Sequence, residues 1–391
     1  MANAPQTSRL PVAGLLALAM TGFIAILTET MPAGLLPQIG IGLHVSPALT
    51  GQLVSLYALG SLVTAIPLMA ALQGWRRRPR LLLAVSAFLI FNTITALSSS
   101  YPLTLAARFL AGMAAGLGWG IIPGYARLMA SGENKGRGMA IAMVGTPLAL
   151  ALGVPAGAFL GKVVAWRTTF LMMSGLSLGL IFWILVKVPD YPGQTEDKRL
   201  SVWQVFVTPG VRPILAVIFF WMVAHNILYT YISPFLAAAG MAERTDLVLL
   251  VFGSTSVLGI WIIGVLIDRH LRGLTLASTV LFGLATLVLG VMAYEPVAVY
   301  AAIGAWGLAF GGAATLFQTA IAQTAGDAAD VAQSMLVTAW NMAIAGGGII
   351  GGLLLDRLGV GAFSPALLVL LLATLVVVWS ARHHGFAAMG R

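Results

Sequence analysis

Residues 11–34 read PVAGLLALAMTGFIAILTETMPAG, an apolar run interrupted by a single ionisable side chain, Glu29. About 20 such residues, wound as a helix, cross a bilayer core about 30 Å thick. Runs of the same kind recur near 47–71, 81–98, 102–130, 138–161 and 167–188. Six more lie near 211–235, 246–267, 274–293, 297–322, 332–355 and 361–381. Twelve spans of this length would occupy roughly 240 positions. The composition agrees: 59% of the 391 residues are apolar and only 8% are charged. Soluble domains carry about a quarter charged residues. The expected fold class is an all-α membrane protein, with twelve transmembrane helices in two six-helix pseudo-repeat halves.

The rest of the composition narrows the chemistry. The chain has no cysteine, which excludes disulfides, thiolate metal sites and cysteine nucleophiles. No H-E-x-x-H, Walker loop or paired-Asp motif occurs, so neither a metal nor a cofactor is expected. Gly346 to Gly351 satisfies G-x-G-x-x-G but lies mid-span with no preceding strand, and reads as helix packing. His383 and His384 belong to a basic tail, and His44 and His270 are expected in loops.

A formal net charge of +9 would suit nucleic acid, but the Lys and Arg residues are spread over short loops, where they act as topology signals. The longest polar interruption, Asp190 to Pro209, separates a half at 1–190 from a half at 211–391, with 191–210 as a surface linker. Lys162, Arg167, Arg244 and Arg357 fall in loops on one side, and Arg108 falls inside a span. The other 16 of the 21 basic residues lie on the opposite side, with both termini. By the positive-inside rule, that side is the cytoplasm. The first span is too long to read as a cleavable signal, and eleven further spans follow it.

The halves resemble each other. Gly116-Leu117-Gly118-Trp119-Gly120 has a counterpart in Gly307-Leu308-Ala309-Phe310-Gly311, and Gly153 and Gly157 match Gly347 and Gly351. Transporters built from parallel repeats bind substrate between their halves.

Few residues can carry function at membrane depth. A carboxylate there is costly and is kept for a use. Gly22, Ala25 and Ala33 share the helical face of Glu29, so that face meets protein, where a carboxyl group can exchange protons near neutrality. The plainer reading is a hydrogen bond that fixes packing. Arg108 is followed at i+4 intervals by Gly112, Gly116, Gly120 and Gly124, a ridge for close helix approach. Its guanidinium either binds an anionic group or is satisfied by carbonyls. Trp221, His225, Tyr229 and Ser233 are spaced four apart on one face, flanked by Asn226. Such a stripe suits a cavity holding a small amphiphilic or hydroxylated solute. Gln52, Tyr57, Gln318 and Asn341 are further lining candidates.

These residues resemble a known group. Two six-span halves with this spacing are similar to the major facilitator superfamily. Leu105-Ala106-Ala107-Arg108-Phe109-Leu110-Ala111-Gly112 resembles its span-four motif. Gly145-Thr146-Pro147 and Gly153-Val154-Pro155-Ala156-Gly157 resemble its antiporter-associated span-five motif. Thr28 to Pro37, and Ala224-His225 through Phe235, resemble the first and seventh spans of bacterial drug:proton antiporters that include sugar-efflux and arabinose-efflux permeases. The resemblance implies a gating latch in the loop after span two and in its second-half equivalent. The second keeps Asp268-Arg269; the first, Gln73 to Arg80, has Gly74 near where the acid belongs. Ser233 stands where some relatives have a carboxylate.

The function expected is export of a small organic solute (drug, sugar or nucleoside class) in exchange for protons across the bacterial inner membrane. Multidrug resistance falls within that class. Glu29 would carry the proton, while Arg108 and the span-seven face contact substrate. The chain is expected to act as a monomer in the lipid bilayer, without nucleic acid. Proton-coupled uptake is the alternative within transport. A lipid-modifying membrane enzyme is the alternative outside it, although no convergent catalytic set is present.

Overall fold

The computed structural model describes residues 10–65, 67–72, 74–130, 135–193, 202–382 and 384–386, and among these no strand occurs. Eleven helices are long and apolar enough to cross a membrane. The bent pair Leu36–Leu43 and Pro47–Thr64, 107° apart, raises the number to twelve. Their outer surfaces expose large apolar side chains such as Phe182, Val291 and Val369, a surface that lipid tolerates and water does not.

The first half comprises α1 (Val12–Gly34), α2 (Leu36–Leu43), α3 (Pro47–Ala65), α4 (Pro67–Leu72), α5 (Arg77–Leu97) and α6 (Tyr101–Met129). It continues with α7 (Lys135–Met143), α8 (Gly145–Leu148), a π-turn at Ala149–Gly153, α9 (Val154–Val163) and α10 (Trp166–Lys187). The linker contains the short helix α11 (Val202–Phe206); residues 194–201 lie outside the described residues. The second half comprises α12 (Val211–Thr230), α13 (Ile232–Ala238), α14 (Thr245–Val291), α15 (Pro296–Gly311), α16 (Ala313–Ala325), α17 (Ala329–Leu358) and α18 (Phe363–Ser380).

Spans eight and nine, Ala242–Ile267 and Arg269–Val291, meet at a tight kink where His270 is non-helical (φ −135°, ψ 28°). One detail departs from the expected spans, in the fifth. This span is widened at Ala149–Gly153, where the Val154 N–H donates to the Ala149 carbonyl five residues back. Pro155 follows and lacks the N–H that would bond Ala151, so the regular ladder has already lost a rung there.

Close backbone contacts repeat between the halves. A Cβ at Gly112 of α6 would run into the Tyr57 carbonyl of α3, and one at Gly311 of α15 into the Ser256 carbonyl of α14. Likewise Gly157 lies against Met31 of α1, and Gly351 against Tyr231 at the end of α12. Span four therefore seats on span two and span five on span one, as ten seats on eight and eleven on seven. Small residues let helices approach closely enough for dispersion to hold them in lipid.

Hydrogen bonds between the halves, among the described residues, all lie at one end of the bundle. The Tyr231 hydroxyl lies 3.3 Å from Ala48 O across the halves and 2.7 Å from Gly348 O within its own half. The Ser233 hydroxyl donates to Ala33 O (3.0 Å). That carbonyl is available because Pro37, four residues on, has no N–H to offer it. Lys162 pairs with Asp246 (2.6 Å) and donates to the Glu243 carbonyl. We call this end the clasp. Further along the bundle, Val54 and Ala58 pack with Ile344 and Ala345.

Candidate functional site

Glu29 sits on α1, half-buried, three residues before Pro32. A polar cluster joins the surrounding helices. Asn92 of α5 donates to the Thr28 hydroxyl (2.9 Å), and the Tyr57 hydroxyl of α3 donates to Ala25 O (2.9 Å). Arg108 of α6 has no exposed surface. Its Nε donates to Leu53 O and its Nη2 to the backbone carbonyl of Glu29 itself, each at 3.3 Å. The guanidinium lies over the Tyr57 ring, 4.8 Å from its centre. Nη1 has no partner, and no ion pair to the Glu29 carboxylate forms among the described residues. Carbonyls and a ring therefore support a buried cation while one donor stays unspent. Tyr229, from the other half, lies within electrostatic reach of that carboxylate.

The span-seven stripe forms a ring stack. Trp221, His225 and Tyr229 follow one another on α12, with His225 6.1 Å from Trp221 and 5.3 Å from Tyr229. The His225 ring stacks on Phe310 of α15 at 4.1 Å and 12°. Phe252 of α14 and Trp306 of α15 complete the surround, 4.4 Å from each other. Inside this apolar nest, His225 Nδ1 and Trp306 Nε1 both lack hydrogen-bond partners. The two ring centres lie 5.3 Å apart, and a hydroxyl can donate to an imidazole nitrogen and accept from an indole N–H.

The other sequence candidates separate into groups. Ser233 belongs to the clasp, as does Gln52, whose Nε2 reaches Gly348 O at 3.4 Å. Asn226 is buried against Gly347 and bonds Met222 O on its own helix, away from the ring stack. Asn341 is buried and bonds Val337 O within α17, and Gln318 is exposed on α16. Gly145 lies against Ala19 of α1, Gly153 against Leu27, and Pro147 and Pro155 bracket the π-turn. At that turn, Gly253 of the other half meets the backbone of Ala151. Arg269 is exposed, and the Asp268 side chain lies outside the described residues.

The loop without its acid is repaired from elsewhere. Gly74 has open space around it. Asp190, after α10, takes Arg76 Nε and the Arg78 N–H. Partial burial works against its carboxylate, yet these bonds hold it below the usual carboxylate range. Three features escaped the sequence reading: Trp306, the Lys162–Asp246 pair, and Asn92 beside Thr28. Each acts through contacts between distant segments and carries no mark in local spacing.

Residues 18–347 match the family model described as Major Facilitator Superfamily. A Helicobacter pylori protein named "Probable sugar efflux transporter" is 26% identical over 346 residues, covering 88% of each chain. A Pseudomonas aeruginosa protein named "Transcription regulatory protein OpdE" is 29% identical over 378 residues, covering 94% of each. An Escherichia coli "Purine ribonucleoside efflux pump NepI" is 26% identical over 357 residues, covering 90% of each.

Proposed function

Because the chain belongs to the Major Facilitator Superfamily, and is therefore a membrane transporter rather than an enzyme, we propose that it exports a hydroxylated solute of the sugar or nucleoside class in exchange for protons. The observation that carries this reading is the Glu29 carboxylate. It is held at membrane depth beside a buried, incompletely satisfied Arg108, and it has no ion pair to fix its charge. An intramembrane carboxyl so placed can load a proton with one side open and release it with the other. Each proton moving inward supplies about 2.3 kcal/mol per 100 mV of membrane potential.

The solute class draws on the names of the relatives and on the ring stack around His225 and Trp306. Aromatic faces bind the apolar side of a sugar or base, and the two unpaired nitrogens meet a hydroxyl. The halves 1–190 and 211–391 would rock about the middle of the membrane, the clasp closing one end while the other is open. Placing the basic loops in the cytoplasm of a bacterial inner membrane puts both termini there and the clasp outside. The state described is then inward-facing.

The test is Glu29→Gln in proteoliposomes with an imposed pH gradient. The variant should fold and bind a neutral solute, yet lose proton-driven accumulation. Glu29→Asp should retain part of it. If Glu29→Gln accumulates solute as the parent does, the proton travels elsewhere.

A further inference from the structure

Arg77 and Arg80 open α5, at the end of the bundle opposite the clasp. Both are nearly enclosed, with Arg77 8% and Arg80 2% exposed. Arg77 Nε, Arg80 Nε and Arg80 Nη2 find no hydrogen-bond partner. A guanidinium does not give up its proton, so each is a buried positive charge with donors unspent.

The neighbouring groups that might serve them are engaged elsewhere. Asp190 is occupied by Arg76 and by the Arg78 N–H, and the Tyr191 carbonyl by the Arg77 N–H. The Tyr125 hydroxyl of α6 points its proton at Pro189 O, 2.7 Å away. Gly124 makes room for the site: a Cβ there would sit 2.8 Å from Arg77 Nη1. Among the described residues, the two guanidiniums thus meet no counter-charge.

We propose that Arg77 and Arg80 bind a phosphate group. Paired planar forks of N–H donors match the oxygens of a phosphate, where a lone ammonium would give only a point charge. The phosphate can belong to an anionic phospholipid headgroup or be free in solution. Trp75, half-exposed two residues before Arg77, marks the depth at which indoles sit among headgroups. Basic pockets between spans at this level suit anionic lipid.

The experiment uses the full chain, purified in a neutral detergent. Thermal unfolding is followed with inorganic phosphate against chloride at equal ionic strength, and with dioleoylphosphatidylglycerol against dioleoylphosphatidylcholine. Native mass spectrometry counts retained phosphatidylglycerol in parallel. The parent should be stabilised by phosphate, by phosphatidylglycerol, or by both, and which of these acts identifies the source. Arg77→Gln and Arg80→Lys should bind that probe at least about tenfold more weakly, the loss expected for charged hydrogen bonds. Arg76→Gln, which disturbs only the exposed pair with Asp190, should bind it as the parent does. Arg80→Lys keeps the charge, so the fold need not fail with the site. The proposal is overturned if neither probe stabilises the parent, or if the Arg77 and Arg80 variants bind it undiminished.

Discussion

At the scale of single residues, some of the molecule's unsatisfied polar atoms lie at the candidate site. Arg108 Nη1, His225 Nδ1 and Trp306 Nε1 are all buried without partners. A polar atom left so costs about 1–3 kcal/mol. Replacing His225 by phenylalanine removes that penalty and keeps a ring against Phe310. His225→Phe should therefore leave the thermal midpoint unchanged or raise it, while weakening solute binding severalfold. Thermal unfolding and equilibrium binding on the same preparation separate the two effects. Unchanged affinity would make His225 a packing residue. Glu29 was legible in the sequence because a charge in an apolar run stands out by itself. The i+4 spacing of Trp221, His225 and Tyr229 was legible as a shared face. The rings that enclose them were not, since Phe252, Trp306 and Phe310 reach the stack only through tertiary packing.

At the scale of elements, glycine decides which helices touch. Gly112 and Gly311 occupy matching seats, each with a carbonyl of the facing helix where a side chain would begin. Backbone cannot yield as a flexible side chain can, and overpacking costs about 1–3 kcal/mol. Gly112→Ala and Gly311→Ala should each lower the thermal midpoint, whereas Gly175→Ala and Gly283→Ala, which meet nothing within 4 Å, should not. Equal midpoints across the four would show that the seats can relax. The spans themselves were readable to within a few residues because lipid demands long apolar runs. The π-turn was not: it depends on how a local ladder compromises with its neighbours. The repair at Gly74 was invisible for a related reason, since Asp190 lies more than a hundred residues further along the chain.

At the scale of the whole molecule, the proposed rocking of the halves requires the clasp to open. The interactions that hold it join α1 to α13, α3 to α17 and α9 to the start of α14, so they should break together when the halves rock. The absence of cysteine allows a direct test. A Cβ at Gly352 would lie 3.5 Å from the Ala48 Cβ across the clasp. That separation falls within the range for a disulfide, about 3.5–4.5 Å. A Cβ at Gly352 would also lie 2.7 Å from the Tyr231 hydroxyl, which must shift to admit it. With that shift, the double variant Ala48→Cys with Gly352→Cys should cross-link under mild oxidation. Oxidised protein in proteoliposomes should lose solute transport almost completely, and reductant should restore it. Each single variant should transport in either condition, which controls for the loss of Gly352. Binding from the side opposite the clasp should survive oxidation, because the disulfide fixes the conformation already present. Transport by the cross-linked protein at the reduced rate would mean that this end stays shut throughout the cycle, and that solute passes by a route other than the one between the halves.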